Sequence, residues 1–205
     1  MNGLTLGAVI PEPKHDSRDH AVLEWLNGQQ SVIYTAFGSV TRLTADQVRS
    51  MLDVVRRLDD DHHQVLWVLS ESQQRFLPAE LPANLRVTSW VHSQHSVLAH
   101  PNVRAFFSHG GSNSFHESVY FGKPLLVRPI CIDQYDHATR AVDSGVGLAV
   151  ARADVMDPDD VHAKPLRLLT EDSFGARARY YAQVQRDAGG LVKAADLILD
   201  QVSQN

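Results

Sequence analysis

The sequence has little that would tie it to an oxidising compartment, a membrane or a nucleic acid. Its single cysteine, Cys131, cannot form an internal disulfide, so we expect a reducing, cytoplasmic location. No apolar run approaches the ~18 residues of a membrane span, and the N-terminus lacks the pattern of a signal peptide. The net charge of −5 gives no general attraction to nucleic acids or anionic lipids, so any phosphate site must be local.

Two motifs that would point to a particular chemistry are also missing. The Gly-rich turn at Gly110-Gly111 lacks the G-x-G-x-x-G fingerprint of dinucleotide-binding proteins. The turn begins His-Gly-Gly, as an esterase oxyanion loop can, but no G-x-S-x-G nucleophile elbow follows it in the sequence. These absences argue against a dinucleotide-dependent enzyme and against a serine esterase.

Candidate metal ligands occur in small groups, but each group fits a simpler interpretation. The acidic and histidine run at 59–63 lies between a predicted helix and a predicted strand, where a solvated loop is typical. The D-P-D motif at 157–159 precedes a helical pattern, and its proline suits the first turn of a helix. His92 and His95 are expected to be loop residues. The sequence therefore predicts no bound metal.

What the sequence does contain is typical of a soluble globular domain. It has 205 residues, of which 43% are hydrophobic and 21% are charged. A chain of this length buries about 70% of the surface that its unfolded form exposes. We expect one domain over residues 1–205, in which 1–30 form a linker with the first strand or helix and 31–205 form the core.

The region 103–134 carries the clearest local pattern. Its apolar run at 103–107 predicts a strand buried on both faces. A turn of small residues leads into a helix that is expected to end at Gly122, because glycine tolerates the left-handed conformation there. A second apolar run at 125–127 predicts another strand. Two strands joined through a helix in this way are parallel, with a right-handed crossover.

The same reasoning extends along the chain. The other predicted strands span 32–37, 65–69, 85–88 and 147–150. The other predicted helices span 19–26, 44–58, 159–169, 173–187 and 190–202, and one more follows Gln134. The helix at 44 begins with the capping box Thr44-x-x-Gln47, whereas 4–10 is either a first strand or the tail of a linker. This alternation predicts an α/β fold with a Rossmann-like, doubly wound parallel sheet.

The turn before the central helix has the chemistry of an anion site. Gly110 and Gly111 let the backbone approach a ligand closely, and the N–H groups at the helix start favour a phosphate. Side-chain donors follow at 112–114, and the carboxylate of Glu117 lies one turn further on. An ordinary capped helix is the alternative, because serine and asparagine are also the usual N-cap residues.

An ordered set of residues in this chain resembles the signature of the UDP-dependent glycosyltransferases. The set consists of Trp90, Gln94, the segment 97–101, the segment 107–114, Glu117, Gly122-Lys123-Pro124, Pro129 and Asp133-Gln134. The resemblance extends to Glu24-Trp25-Leu26 and the segment 31–39, and so covers nearly the whole chain. These enzymes have the GT-B architecture, two Rossmann-like domains that face a cleft. The signature belongs to the C-terminal, donor-binding domain.

The resemblance implies a role for each matching residue in binding a UDP-sugar. Trp90 stacks on the uracil, the backbone of Val91 reads its edge, and Glu117 and Gln94 hold the ribose. The family carries its ribose glutamine three residues after the tryptophan, where this chain has Ser93. Either a one-residue insertion brings Gln94 into place or Ser93 occupies it.

The remaining implied contacts hold the diphosphate and the sugar. His109, Asn113, Ser114 and the Gly38-Ser39 loop hold the diphosphate, and Asp133 and Gln134 hold the sugar hydroxyls. Ser112 stands where plant members often carry a tryptophan. The full donor-binding set is Gly38, Ser39, Trp90, Val91, Gln94, His109, Gly111, Ser112, Asn113, Ser114, Glu117, Asp133 and Gln134.

The implied activity is inverting transfer of a hexose from a UDP-sugar to an acceptor hydroxyl, with no cofactor besides the donor. The family's general base is a histidine of the N-terminal domain, so we expect no catalytic base in this chain. His109 lies beside the leaving group and is not a candidate. The chain is expected to work with its own N-terminal acceptor-binding domain. The alternatives are a separate subunit of a two-chain glycosyltransferase and a non-catalytic nucleotide-binding module.

Overall fold

The computed structural model describes residues 6–13 and 16–203 and contains a six-stranded parallel sheet. The strands are β1 (Val32–Ala36), β2 (Gln64–Val68), β3 (Leu85–Thr88), β4 (Val103–Ser108), β5 (Leu125–Val127) and β6 (Gly147–Ala149). Their spatial order is β3-β2-β1-β4-β5-β6, which is the order of doubly wound nucleotide-binding folds. The predicted Rossmann-like α/β fold is therefore confirmed, and each predicted strand agrees to within one residue at either end.

Helices connect the strands and complete the layers. They are α1 (His20–Asn27), α2 (Ala45–Asp60), α3 (Glu71–Gln74), α4 (Gln94–Ala99), α5 (Ser112–Tyr120), α6 (Ile132–Asp143), α7 (Pro158–Thr170), α8 (Asp172–Asp187) and α9 (Gly190–Ser203). A 3-10 turn, Ser17–Asp19, precedes α1. The short helices α3 and α4 were not among the predicted elements.

The N-terminal segment has no strand in its described part. Residues 6–13 form neither helix nor strand, so the first-strand alternative is not realised over 6–10, and residues 4 and 5 lie outside the described part. The segment packs against the start of α9, where the amide of Gly190 donates to the carbonyl of Leu6 at 2.7 Å.

The sheet is buried on both faces, which explains the continuous apolar runs of its central strands. In β1, Tyr34 faces a cluster that includes Leu26 of α1, Val97 of α4 and Phe115 of α5. The adjacent Ile33 faces the opposite cluster, which includes the apolar side of α2. Because successive side chains of a strand point to opposite faces, one strand contributes to both clusters.

Local capping signals in the sequence formed as predicted. The Thr44 hydroxyl accepts from the amide of Gln47 at 3.2 Å, and the Gln47 side chain accepts from the amide of Thr44 at 3.0 Å. The carboxylate of Asp157 accepts from the amide of Asp159 at 3.0 Å, so the D-P-D motif caps α7. Gly122 follows α5 with a φ of +64°.

The order in which the chain adds strands to the sheet reverses between the two central strands, β1 and β4. Helix α2 follows β1 and packs on one face, whereas α5 follows β4 and packs on the other. The two loops therefore separate at the carboxyl ends of β1 and β4 and leave a crevice between them. Ligands of open α/β sheets bind in crevices of this kind.

Candidate functional site

A cleft of about 470 Å³ lies at the carboxyl ends of the strands, beside the first turns of α5. Its walls come from the loops that follow β1, β2 and β3. The predicted site residues in these walls are Gly38, Ser39, Trp90, Val91, Gln94, Asn113 and Glu117. Residues that are up to 79 positions apart in the sequence therefore meet at one edge of the sheet.

Trp90 presents its indole ring to this cleft. Its side chain is 56% exposed, in contrast to Trp67, which is fully buried in the middle of β2. The Thr88 hydroxyl donates to the carbonyl of Trp90 at 2.9 Å and so holds the backbone while the ring stays accessible. An exposed ring on a fixed backbone suits stacking on a planar ligand. The stacking role of Trp90 stays a prediction.

Gln94 and Glu117 form a hydrogen-bonded pair in the cleft. The Gln94 amide Nε2 donates to Glu117 Oε2 at 2.5 Å, and the Tyr34 hydroxyl donates to Gln94 Oε1 at 3.1 Å. Ser93 instead occupies the N-cap of α4, where its hydroxyl accepts from the amide of Ser96 at 3.2 Å. Gln94 rather than Ser93 is therefore the residue that lies next to Glu117.

His95 was expected in a loop, and this expectation is wrong. It lies in the first turn of α4, and its Nε2 is 3.2 Å from Glu117 Oε1. Because α4 begins directly after Ser93, its first two residues both reach the Glu117 carboxylate. His92 lies outside the helix, as predicted. No periodic pattern in the sequence indicated this six-residue helix.

Tyr34 also contacts the Gln94–Glu117 pair, through Gln94. The sequence had not indicated Tyr34 as a site residue. Burial raises the pKa of its hydroxyl far above the usual value, and the charge of Glu117 acts in the same direction. The group therefore stays protonated and continues to donate to Gln94. In the sequence Tyr34 is simply one apolar residue of a strand, so only the fold gives it this contact.

The Tyr34→Phe variant tests this contact. Loss of the hydroxyl leaves the Gln94 amide without its orienting donor, and we expect the affinity for UDP and for uridine to fall about threefold to tenfold. Isothermal calorimetry measures both affinities, and Tyr180→Phe on the exposed side of α8 is the matched control. Equal affinities for both variants and the wild type would remove Tyr34 from the site.

The N-terminus of α5 carries no side-chain cap. Gly111 occupies the N-cap position, so the serines and the asparagine at 112–114 lie inside the first turn rather than capping it. The capped-helix alternative is therefore wrong for these residues. The first amide groups of a helix have no partner within the helix, and this first turn contains no acidic residue. The end of α5 thus has the polarity that an anion requires.

The imidazole of His109 lies between two glycines at this helix end. A Cβ added to Gly38, whose φ is +75°, would lie 2.9 Å from His109 Nε2, and one added to Gly111 would lie 2.5 Å from it. A side chain at either position would have to displace the imidazole, and the positive φ of Gly38 also disfavours any other residue there. Burial lowers the pKa of His109, while Asp133 and a hydrogen bond with the backbone of Ala36 act in the opposite direction. The imidazole is consequently neutral at pH 7.

The start of α6 holds the last two predicted residues. Asp133 is exposed, whereas Gln134 is buried and caps the helix. Gln134 Oε1 accepts from the amides of Ile130 at 2.8 Å and Cys131 at 3.1 Å. Only its amide nitrogen, 3.5 Å from Cys131 Sγ, remains to donate to a ligand. Their roles as sugar ligands stay predictions.

The described residues offer neither a metal cluster nor a membrane-spanning helix. Within residues 6–13 and 16–203, no group of three or more histidine, cysteine, aspartate and glutamate side chains is arranged to hold a metal ion. In the same part of the chain, no helix has the length and apolar character that crossing a membrane requires.

Comparisons with known proteins agree with this geometry. The family described as "UDP-glucoronosyl and UDP-glucosyl transferase" matches residues 12–188. The UDP-glycosyltransferase 1 of Phaeomoniella chlamydospora is 31% identical over 187 residues, which cover 87% of this chain and 38% of that protein. The 2-hydroxyacylsphingosine 1-beta-galactosyltransferase of Rattus norvegicus is 27% identical over 192 residues, 92% of this chain and 34% of the enzyme. The chain thus spans about a third of these relatives' length.

Solved structures give the same result. The UDP-glucose: anthocyanidin 3-O-glucosyltransferase in complex with UDP superposes with a TM-score of 0.79 at 26% identity, over 94% of this chain and 45% of that one. The glycotransferase of kitacinnamycin superposes with a TM-score of 0.76 at 26% identity, over 85% and 44%. The fold is that of the Rossmann-like GT-B glycosyltransferases, and the chain belongs to the UDP-glycosyltransferase family.

Proposed function

We propose that this chain is the donor-binding domain of an inverting glycosyltransferase that transfers a hexose from a UDP-sugar to an acceptor hydroxyl. The observation that carries the proposal is the exposed Trp90 ring in the same cleft as the Gln94–Glu117 pair. The uncapped N-terminus of α5 adjoins this cleft through Asn113. The aromatic surface, the carboxylate and the anion site, in this order, match the base, the ribose and the diphosphate of the donor.

The nucleoside end of the donor meets Trp90, Val91, Gln94 and Glu117. Trp90 stacks on the base, and the backbone of Val91 hydrogen-bonds to its edge. Each carboxylate oxygen of Glu117 already accepts one contact, from Gln94 or His95. A carboxylate has about four acceptor sites, so capacity remains for the ribose hydroxyls.

The diphosphate end meets the first turn of α5. The donors are the backbone from Gly111 to Ser114, the side chains of Asn113 and Ser114, the His109 imidazole and the Gly38-Ser39 loop. In the reaction, the acceptor oxygen bonds to the anomeric carbon while the bond from that carbon to the β-phosphate oxygen breaks. UDP leaves with the electron pair, and the helix end and these hydrogen bonds stabilise its charge. Asp133 and Gln134 orient the sugar.

The acceptor's proton goes to a base that this chain does not supply. His109 lies against the Gly38 loop and the start of α5, on the side of the leaving group. We therefore assign acceptor binding and deprotonation to an N-terminal domain of the same protein or to a partner chain. A cytoplasmic location, which fits the single cysteine, is part of this proposal.

The diphosphate contacts are tested with His109→Ala and Ser114→Ala. Each variant is expected to lower the affinity for UDP about tenfold, since hydrogen bonds to a charged group are lost. The affinity for uridine, which has no phosphate, is expected to stay unchanged. Calorimetry with both ligands gives the comparison.

His116→Ala is the control for these variants, because His116 is an exposed histidine of α5, the helix that contains Ser114 and begins three residues after His109. EDTA is expected to leave UDP binding unchanged, as the proposed site uses no metal. Equal losses for UDP and uridine would place His109 and Ser114 away from the diphosphate.

A further inference from the structure

A buried carboxylate, that of Asp19, contacts the loop at the nucleoside end of the cleft. Asp19 ends the 3-10 turn before α1, and its side chain is only 2% exposed. Burying a carboxylate is unfavourable unless hydrogen bonds replace its hydration. The partners of Asp19 therefore indicate what this part of the chain is built to hold.

Both oxygens of this carboxylate accept from one loop. Asp19 Oδ2 accepts from the amide of Ser93 at 2.7 Å, and Oδ1 accepts from the amide of His92 at 2.9 Å. The His92 ring contributes a third contact, with Nδ1 at 3.2 Å from Oδ1. Two of the three contacts thus involve the backbone, so they fix the path of the chain rather than one side chain.

The loop that Asp19 holds carries the proposed nucleoside contacts. His92 and Ser93 stand between Val91, whose backbone faces the base edge, and Gln94, which pairs with Glu117. The other end of the loop is held by the hydrogen bond from Thr88 to the carbonyl of Trp90 described above. Asp19 therefore completes a two-point attachment of the segment that presents the aromatic ring and the ribose amide.

We propose that Asp19 is a positioning residue for the nucleoside end of the donor site, an inference that rests on the proposed function. It touches no ligand itself. It acts through the amides of His92 and Ser93. These two bonds keep Val91 and Gln94 in a fixed position relative to the Trp90 ring. The proposed diphosphate contacts come from the turn after β4, the start of α5 and the Gly38-Ser39 loop, whereas the contacts of Asp19 described above are with His92 and Ser93.

The test is Asp19→Asn, which keeps the volume and removes the charge. One carboxylate oxygen becomes an NH₂ donor, which then faces a backbone N–H, so one loop bond is lost and two donors oppose each other. We expect the dissociation constants of uridine and UDP each to rise about tenfold, since bonds to a charged acceptor are lost. The affinity for inorganic pyrophosphate is expected to stay unchanged.

Two variants serve as controls in the same 205-residue chain. Asp16→Asn alters a partly exposed carboxylate at the N-cap of the same turn, whose partner is Arg18, and should leave all three affinities unchanged. His92→Ala removes the ring but keeps both amide bonds. It should therefore lower the affinity for uridine less than Asp19→Asn does. Circular dichroism confirms that each variant is folded at the titration temperature.

The outcomes separate this inference from the proposed function. Wild-type protein that binds neither UDP nor uridine contradicts the proposed function. Wild-type binding together with an unchanged uridine affinity in Asp19→Asn overturns the inference, as does an equal loss for pyrophosphate, which would indicate a general structural effect. If Asp19→Asn does not fold, hydrogen exchange of the unliganded wild type decides: slow exchange of the His92 and Ser93 amides supports the inference, and fast exchange overturns it.

Discussion

UDP-glucose incubated with this 205-residue chain and an acceptor alcohol is expected to bind but to give almost no glucoside. The cleft and the helix ends beside it hold the residues that we propose for donor binding, whereas acceptor binding and deprotonation are assigned to another domain. Orienting the acceptor and removing its proton each contribute large factors, so we expect turnover at least about 10⁴-fold below that of a complete enzyme. Slow hydrolysis of the donor by water is the most that the chain alone should show.

The assay combines the chain with UDP-glucose and a panel of phenolic, steroid and sugar acceptors. Calorimetry with UDP on the same preparation verifies that the donor site is intact, and the assay is repeated with an N-terminal acceptor domain added in trans. Efficient acceptor-dependent turnover by the chain alone would contradict the proposal and require a base among its own residues. The first candidates would then be His92, His95 and His116.

UDP binding without turnover under any of these conditions would favour the non-catalytic alternative. A gain in rate on adding an N-terminal domain would instead support a division of the enzyme between donor and acceptor halves. Whether that half belongs to the same polypeptide or to a partner subunit is decided by the reading frame that surrounds this sequence.

Trp90→Ala is expected to weaken UDP binding by about 1–3 kcal/mol, the range for losing an aromatic surface under a base. The ring is more than half exposed and its backbone is held by Thr88, so truncation should remove the stacking surface without disturbing a core. The fold is therefore expected to remain intact. Uridine should lose the same free energy as UDP, since both carry the base.

Calorimetry with UDP and uridine measures this loss, and circular dichroism verifies the fold. Tyr180→Ala is the matched control, because Tyr180 on α8 is an aromatic residue with the same exposure of 56%. An unchanged affinity in a folded Trp90→Ala protein would remove Trp90 from the site. A similar loss in Tyr180→Ala would show that the effect is not specific to the cleft.

Most secondary structure followed from local patterns. The run of apolar residues in β1, the capping box at Thr44 and the left-handed glycine after α5 each depend on neighbours within a few positions. The two α-helices that were missed, α3 and α4, have four and six residues. Helices this short do not complete enough turns to show a period in the sequence.

The sequence predicted some of the site residues but not all of their contacts. The resemblance identified Trp90, Gln94 and Glu117 as candidates, and in the structure all three line one cleft. It did not decide between Ser93 and Gln94, and it gave no indication that Gln134 caps α6. The capping pattern Cys131-x-x-Gln134 is a variant of the usual box, with cysteine where serine or threonine is common.

The sequence by itself determined the strands, most helices, the parallel α/β class and the family signature, because these depend on periodicity and on residues close together in the chain. Only the tertiary structure decided which side chains meet. The Gln94–Glu117, Tyr34–Gln94 and Asp19–Ser93 contacts join residues 23, 60 and 74 positions apart. Such contacts arise where the sheet brings the ends of separate strands and helices to one edge. Local propensity depends only on neighbouring residues, so it does not predict them.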